Sequence, residues 1–290
     1  MTAPLYSAAD RMETIDGAFI QHGPASNRVY IMKSGKADLQ TLLPRLLALA
    51  QSQGYTKIIA KIPVSRQSAF LEKGFAIEAE IPGFYNGKES ALFPALFLHN
   101  TRKRMNDRPL QAKALRLAHA RQHSGQETAL APHCRLRPCT PADAERMSGI
   151  YKTVFPSYPF PIHDPAYLVE TMRAHVAYFA IETEGKLVAL SSAEMEPESR
   201  SVEMTDFATL PPWRGQSFGS VLLAEMEKEM AAKGFQTAYT IARAVSPGMN
   251  ITFAKKGYRF GGRLVNNTQI SGQIESMNIW FKTLISKQVS

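Results

Sequence analysis

The spacing of apolar residues over the first hundred positions alternates between helical and strand periods. Leu42, Leu43, Leu46, Leu47 and Ala50 fall on one face of a helix predicted over residues 39–53, which Gly54 ends. Short apolar or alternating runs predict strands at 17–22, 28–33, 57–62, 75–81 and 91–98, and a short helix is predicted at 66–73. This alternation predicts a small α/β domain over residues 1–100.

The pattern after residue 132 predicts a larger set of elements. Helices are predicted at 143–154, 166–173, 220–233 and 247–256. Strands are predicted at 135–137, 177–183, 186–196, 201–209, 237–242, 262–267 and 275–282, with Glu184-Gly185 as a hairpin turn. Together they predict an α/β (α+β) domain over residues 133–290, in which helices flank a mixed central sheet. Residues 101–132 are polar and basic, and they predict a linker that contains one solvated amphipathic helix.

The two parts of the chain share a sequence pattern. In each, a helix, a Gly-aromatic pair, a strand and a short helix lead to an aromatic-x-x-Lys-Gly-aromatic motif, at residues 70–75 and 253–258. We interpret the match as an internal repeat whose N-terminal copy is degenerate, although many αβ units end in this way. The N-terminal copy has no counterpart of Arg214-Gly215, so we expect it to pack or to close over a substrate rather than bind a cofactor.

Composition and charge narrow the class of protein. The 290 residues are 44% apolar, as in globular proteins, and no apolar run reaches the roughly 18–20 residues of a membrane span. Residues 1–17 lack the apolar core of a signal peptide, so we expect a cytoplasmic protein. Cys134 and Cys139 are expected to be free thiols, and no metal is expected. The formal charge of +9 raises nucleic-acid binding as a minority interpretation, but a basic surface also suits a polyanionic cofactor.

The strand, turn and helix at residues 201–233 carry the strongest chemical signal. A helix N-terminus offers unpaired amides and a favourable dipole to a pyrophosphate. Gly215 and Gly219 let the backbone approach it closely, and Arg214 adds a cation. On this pattern alone, a plain helix start after a strand stays open.

The same stretch resembles motif A of the GNAT superfamily of N-acetyltransferases, Arg/Gln-x-x-Gly-x-Gly/Ala. The match is carried by Pro211, Trp213, Arg214, Phe218 and Gly219. Ser217 stands where the family prefers glycine, a departure that a negative φ would accommodate. The order of elements around the motif fits the same superfamily, and the GNAT fold is therefore expected for residues 133–290.

This resemblance implies acetyl-CoA as cosubstrate and a set of binding positions. The end of the motif strand, Ala208, Thr209 and Leu210, would offer backbone contacts to the acetyl carbonyl and the pantetheine arm. The turn and helix start would hold the pyrophosphate through Arg214, Gly215, Gln216, Ser217, Phe218, Gly219 and Ser220. Ser246 and Asn250 could bond the arm, or be no more than a helix cap and a surface amide.

Acetyl transfer to an amine needs a group that takes a proton from an ammonium of pKa about 10.4. Asp206, Glu203 and Glu194, in that order, are the candidate bases, and any of them could instead be a counter-ion for the ammonium. Period-two counting puts Glu203 and Asp206 on opposite faces of their strand. The family's usual acid toward the departing thiolate is a tyrosine, but its position here is Phe253. We therefore expect Tyr258, water or another tyrosine to replace it.

A closer resemblance covers nearly the whole chain and is to the β-lysine N-acetyltransferases. It is carried by IQHG (20–23), NRVYIMK (27–33), IPGFY (81–85), FPSYPFP (155–161), EMTDFAT (203–209) and NN (266–267). It implies acetylation of the terminal amine of β-lysine, which gives the compatible solute Nε-acetyl-β-lysine.

Residue types suited to such a substrate occur in these segments. Tyr158 and Phe160 would form a sleeve for the methylenes, with Asp206 or Glu203 on the ammonium. Candidates for the carboxylate site are Arg28, Lys33, Asn266 and Asn267, although packing explains each of these residues as well.

Three other functions stay open on the sequence. The chain could acetylate another amine, such as a polyamine, lysine, an aminoglycoside or a protein N-terminus. Ser217 and Phe253 depart from the family pattern, which leaves open a regulatory module that binds acetyl-CoA without turnover. Nucleic-acid binding is the third. We expect a small-molecule amine as partner, neither nucleic acid nor membrane, and leave a homodimer open.

Overall fold

The computed structural model describes residues 10–124 and 129–284. Residues 1–9, which begin the segment predicted to lack a signal peptide, lie outside the described residues. So do residues 125–128 of the predicted linker and residues 285–290.

The first half alternates strands with helices, as its sequence pattern predicts. Its strands are β1 (Arg11–Ile15), β2 (Ala18–Gly23), β3 (Arg28–Lys33), β4 (Lys57–Ala60), β5 (Ile62–Pro63), β6 (Ala76–Tyr85) and β7 (Glu89–Phe97), and its helices are α1 (Leu39–Ser52) and α2 (Gln67–Leu71). Asp38 caps α1 by accepting the amide of Gln40 at 3.1 Å. Sequence analysis missed β1, because this mostly exposed edge strand has no apolar period.

The second half follows α3 (Arg108–His119). Its strands are β8 (Cys134–Pro138), β9 (Val176–Thr183), β10 (Lys186–Glu196), β11 (Ser201–Thr209), β12 (Thr237–Arg243), β13 (Arg259–Ile270) and β14 (Gln273–Thr283). Its helices are α4 (Ala144–Val154), α5 (Pro165–Ala174), α6 (Phe218–Ala232) and α7 (Pro247–Lys255). The predicted turn at Glu184-Gly185 has φ of 49° and 75°, as a type I′ hairpin requires.

Within the described residues, all fourteen strands join one sheet. The order is β1-β2-β3-β4-β7-β6-β13-β14-β12-β11-β10-β9-β8, with β5 paired to β7. In the first half, β3 pairs parallel with β4, β4 pairs antiparallel with β7, and β7 pairs antiparallel with β6. In the second half, β11, β12, β14 and β13 pair in the same order and directions. The shared order supports the predicted internal repeat. The α/β class, with a mixed sheet flanked by helices, is confirmed.

Two glycines permit the junction between the halves, where β6 meets β13. A Cβ on Gly262 would lie 2.4 Å from the carbonyl oxygen of Glu78 and 2.5 Å from the Cα of Ala79, its pairing partner. A Cβ on Gly261 would lie 2.4 Å from the carbonyl oxygen of Glu80. Such close approach of two backbones leaves no room for a side chain. The sheet is therefore continuous from one half to the other.

The helices pack on the sheet in separate core clusters. Helix α1 buries Leu42 and Leu46 in the first half; α6 and α7 share one cluster of the second half, and α4 and α5 share another. Helix α3, in the predicted linker, packs one face on the second half and exposes the other. Ala118 is fully buried in the cluster of α6 and α7, and the amide of His123 donates to the carbonyl of Ala254 at 3.1 Å. The three predicted domain boundaries stay predictions.

Candidate active site

The parallel strands β11 and β12 diverge part of the way along their length. Their register pairs residues 201–203 with residues 237–239 and goes no further. Beyond Glu203, β11 stays paired with β10, and β12 stays paired with β14. The divergence opens a wedge between residues 204–209 and 240–243. Backbone groups that face a wedge of this kind have no strand partner and can bind a ligand.

A bulge in β11 brings Asp206 to the wall of a cavity. Asp206 has φ of +53°, and the pairing of β10 with β11 shifts register between Leu190 and Ser192. An extra residue in one strand breaks the alternation of faces. The expectation that Glu203 and Asp206 lie on opposite faces is therefore wrong, because both line the same cavity.

This cavity has a volume of about 1040 Å³ and takes its walls from both halves of the chain. The second half contributes, among others, Tyr158, Phe160, Glu194, Glu203, Asp206 and Phe207. The first half contributes Arg28, Tyr30, Met32, Lys33, Lys61 and Tyr85. The volume suits a small ligand with part of a larger one, and the first half encloses it.

Glu194 and Glu203 form an acidic wall in this cavity. They are direct cross-strand partners in β10 and β11, so their side chains lie on the same face of the sheet. Burial raises the pKa of Glu203 to about 7. Burial, together with the neighbouring Glu203 charge, raises the pKa of Glu194 well above its ordinary range. An ammonium beside this wall would stabilise the ionised form of both carboxylates.

Asp206 is held by two hydroxyl groups. Ser192 Oγ donates to one carboxylate oxygen at 2.5 Å, and the Tyr158 hydroxyl donates to the other. Burial raises the pKa of Asp206 above its ordinary value, although these hydrogen bonds oppose the shift. Asp206 thus fixes the aromatic loop of Tyr158 to β11. Glu203, in contrast, has a pKa close to neutrality.

The turn between β11 and α6 contains two residues with positive φ. Gly215 has φ of +84° and Ser217 has φ of +59°. The negative φ that would accommodate serine in place of the family's glycine is not found at Ser217, and a side chain held in this left-handed conformation costs about 1 kcal/mol. The carbonyl of Ser217 accepts the amide of Ser220 at 2.9 Å, so the Ser220 amide is used inside the helix and cannot serve a phosphate.

The first residues of α6 can receive an anion. The amides of Phe218 and Gly219 precede the first intrahelical bond and face out of the helix end. A Cβ on Gly219 would meet no atom nearer than Cδ1 of Phe207 at 3.9 Å and Sδ of Met249 at 4.0 Å. Phe207 and Met249 both line the cavity, so the space beside Gly219 continues into it. Together with the exposed Arg214, this opening fits the pyrophosphate arm of coenzyme A.

Sequence analysis missed the residues that join the two halves across the cavity. Lys61 Nζ lies 2.5 Å from Glu196 Oε1, and the Tyr239 hydroxyl donates to the same oxygen at 2.9 Å. The pKa of Glu196 lies below its ordinary value in spite of burial, because the Lys61 ammonium is adjacent. The sequence signal that could have indicated this contact was a lysine inside the apolar segment 57–62.

The structure excludes Tyr258 as the replacement for the family's general acid. Phe253, at the position of that tyrosine, lines the cavity. Tyr258 lies behind it, fully buried, with the two ring centroids 5.0 Å apart. Burial also raises the Tyr258 pKa well above its ordinary value. A hydroxyl in this position has no access to a ligand in the cavity.

Asn250 is likewise committed to the fold. Its Nδ2 donates to the carbonyls of Arg243 and Ser246, and its Oδ1 accepts from Asn278 Nδ2 and Trp280 Nε1, each at 2.8 Å. All of its hydrogen-bonding capacity is therefore used. The expectation that Asn250 contacts a cofactor is not supported.

Three other residues that were expected to contact a ligand differ in where they lie. Asn266 donates to the carbonyls of Arg102 and Arg104 and so ties β13 to the first half. Asn267 and Ser246 both line the cavity. Asn266 therefore has a structural contact, while Asn267 and Ser246 can meet a ligand.

Two further features of the described residues concern metal ions and membranes. Among the described residues, no group of three or more His, Cys, Asp or Glu side chains could hold a metal ion. None of the helices in residues 10–124 and 129–284 combines the length and apolarity needed to cross a membrane.

A wedge between parallel strands, followed by a glycine-containing turn at a helix N-terminus, is the arrangement in which the resemblance of residues 201–233 to motif A implied a cosubstrate. Residues 146–256 match the model of the Acetyltransferase (GNAT) family. The chain is 36% identical to the β-lysine N(6)-acetyltransferase of Methanococcus maripaludis over 94% of this chain and 98% of that protein. It is 33% identical to the N-acetyltransferase YodP of Bacillus subtilis, over 92% and 96% of the two chains. A β-lysine N(6)-acetyltransferase of Methanosarcina mazei is 45% identical over 51% of this chain and 55% of its own length.

The chain belongs to the GNAT family of N-acetyltransferases. Members of this family use acetyl-CoA as the acetyl donor.

Proposed function

We propose that this chain transfers the acetyl group of acetyl-CoA to the terminal amine of β-lysine and so makes Nε-acetyl-β-lysine. The observation that carries the proposal is the acidic wall of Glu194 and Glu203 in a cavity closed by both halves of the chain. Two relatives named β-lysine N(6)-acetyltransferases support the choice of amine. Acetyl-CoA supplies the acetyl group as a thioester.

Glu203 is the proposed general base. With a pKa of about 7 it is half ionised near neutral pH, and its carboxylate can accept a proton from the substrate ammonium. Glu194, directly across the strand pair, orients the same ammonium. Asp206 has a positioning role, since it fixes Tyr158, whose ring lies with Phe160 along the cavity wall. These two rings would exclude water from the methylenes of the substrate.

The proposed site for the acetyl donor is the wedge and the turn that follows it. The backbone of Ala208 and Thr209 borders the wedge, and the amides of Phe218 and Gly219 would bind the pyrophosphate. Arg214 is exposed beside them and would add charge. Ser246, at the start of α7, remains a candidate for the pantetheine arm.

The charge of the proposed product gives it a physical rationale. Acetylation of the terminal amine removes one positive charge and leaves a zwitterion with no net charge. A neutral, highly soluble molecule disturbs proteins little at high concentration, which suits a compatible solute for osmoadaptation. We place the proposed reaction in the cytoplasm, where acetyl-CoA is available.

The test is thiol release from acetyl-CoA with β-lysine, lysine, spermidine or a peptide as acceptor, with the acetylated nitrogen identified by NMR. We expect the highest kcat/KM for β-lysine, acetylated at the terminal amine. Glu203→Gln should abolish most of this activity, while Glu145→Gln, at an exposed carboxylate of α4, should retain it. Turnover of spermidine or the peptide alone would refute the substrate. Coenzyme A binding without turnover of any amine would identify a binding module instead.

A further inference from the structure

Arg28 is a buried cation without an ion pair among the described residues. Its exposed fraction is 3%, and it lines the cavity from the start of β3. No described carboxylate lies within salt-bridge distance of its guanidinium. Since a buried charge is costly unless an opposite charge or hydrogen bonds compensate it, an anionic ligand is a natural partner.

The hydrogen bonds of Arg28 leave donors free. Nη1 donates to the carbonyl of Asn267 at 2.8 Å and to Thr268 Oγ1 at 3.1 Å, and Nη2 donates to Gln21 Oε1 at 3.0 Å. A guanidinium has five N–H donors. Nε is buried and has no partner among the described residues, and one N–H of Nη2 is left as well. A planar guanidinium with free donors matches a carboxylate.

Asn267 supplies a free acceptor next to these donors. It is 3% exposed and lines the same cavity. Its Nδ2 donates to Thr268 Oγ1 at 3.2 Å, but its Oδ1 has no partner in the described part of the chain. Leaving a buried acceptor unsatisfied costs about 1–3 kcal/mol, which a ligand N–H would recover. The free donor and the free acceptor therefore belong to two cavity residues that are joined by the hydrogen bond from Arg28 Nη1 to the backbone carbonyl of Asn267.

Arg102 shows the contrasting arrangement of an arginine that serves the fold. It is also buried, at 7% exposed, but it does not line the cavity. It donates to the carbonyls of Asn266, Ser26 and Asn27 and to the Thr56 hydroxyl, and none of its nitrogens is left buried without a partner. Burial of an arginine in this region therefore does not by itself require a ligand.

We infer that Arg28 and Asn267 form a head-group subsite that binds the carboxylate and the second amine of an amino-acid substrate. The inference rests on the proposed function and adds to it the basis of substrate selection. The acidic wall of the same cavity receives the amine to be acetylated, and the subsite recognises the other end of the molecule. A diamine or polyamine has no carboxylate and would leave the Arg28 charge without a partner. Sites built on buried polar groups reject analogues that lack the matching group.

The test compares β-lysine with 1,5-diaminopentane, which has two amines and no carboxylate. The measured quantity is the ratio of kcat/KM for β-lysine to kcat/KM for the diamine. Arg28→Met should lower this ratio about 100-fold, since it removes a group that only the amino acid uses. Asn267→Leu removes an acceptor for the second amine, which both compounds have, and should lower both kcat/KM values about tenfold. Arg102→Met is the matched control: it should lower stability and leave the ratio unchanged. A merely structural role of Arg28 would lower both rates and keep their ratio.

Titration calorimetry with 3-aminobutanoate, which has the head group but no terminal amine, separates the two proposals. We expect binding to the unaltered protein and a loss of at least tenfold in affinity in the Asn267→Leu variant. Binding of this kind without turnover of β-lysine would support the subsite and refute the proposed function. Turnover of β-lysine with a ratio that Arg28→Met does not change would overturn the subsite and leave the proposed function standing.

Discussion

The space beside Gly219 allows the cofactor turn, residues 210–219, to be tested by one added side chain. Gly219 is the second residue of α6, and its φ is not positive. A Cβ there would lie in ordinary contact with Phe207 at 3.9 Å and Met249 at 4.0 Å, and the family pattern itself accepts alanine at this position. Gly219→Leu extends from the same Cβ beside two residues that line the cavity, and so changes the cavity.

The structure predicts opposite signs for stability and cofactor affinity. Replacing a helical glycine by leucine stabilises a helix by up to about 1 kcal/mol, so the free energy of unfolding should rise slightly. Bound pyrophosphate oxygens would lie about 2.9 Å from the amides of Phe218 and Gly219. A leucine side chain on the same residue forces them outward and weakens one or two charge-assisted hydrogen bonds, each worth about 1.5–3 kcal/mol. The KM for acetyl-CoA should rise at least tenfold.

Thermal unfolding and steady-state kinetics with acetyl-CoA as the varied substrate measure the two effects. Gly149→Leu is the matched control, because Gly149 lies inside α4 with nothing within 4 Å of its Cβ position and far along the chain from the cofactor turn. It should gain stability in the same way and keep the KM for acetyl-CoA. A Gly219→Leu enzyme with an unchanged KM would refute the assignment of this helix end to the pyrophosphate.

Three further predictions concern the base, the turn and the junction. Because protonated Glu203 is no base, kcat/KM for the amine should rise about tenfold per pH unit up to a pKa of about 7. Glu203→Gln should lose this rise with pH. A rise that persists in the variant would show that another group is the base. Ser217→Gly should raise the free energy of unfolding by up to about 1 kcal/mol, since φ of +59° suits glycine. A variant that is clearly less stable than the unaltered protein in urea unfolding would contradict the strain at Ser217. Gly262→Ala should lower the free energy of unfolding by about 3 kcal/mol or more, because its Cβ would lie 2.4 Å from the carbonyl oxygen of Glu78. Unchanged unfolding and activity would contradict the close backbone contact at the junction.

Local signals in the sequence predicted most elements of the fold. The bounds of β3, β10 and β11 match their predicted ranges, because apolar runs or alternating apolar positions, with turn residues beside them, mark each strand. The junction of β6 with β13 was not predictable in this way. Its decisive residues are Gly261 and Gly262, which carry no hydrophobic pattern, and the pairing joins residues far apart in the chain.

The candidate site also has parts that local sequence predicted and parts that depend on contacts between distant residues. The turn at 210–219 and the acidic residues of β11 were found because each is contained in one short segment. The bulge at Asp206 was missed, since it depends on a register shift against β10 rather than on the sequence of β11 alone. Lys61 and Glu196 were missed because they meet only when the two halves pack together.

The contrast between the two halves explains why one half has a wedge between its parallel strands and the other does not. In the first half, β3 and β4 pair along all four residues of β4, and the amide of Lys61 extends the pairing by donating to Ile31 O at 2.9 Å. The corresponding strands β11 and β12 separate after Glu203. A closed strand pair has no free backbone edge for an acyl donor, and β3 reaches α1 through a short turn without the Arg-Gly pair. The first half can therefore add to the site only through side chains, which is how Arg28 and Lys61 reach the cavity.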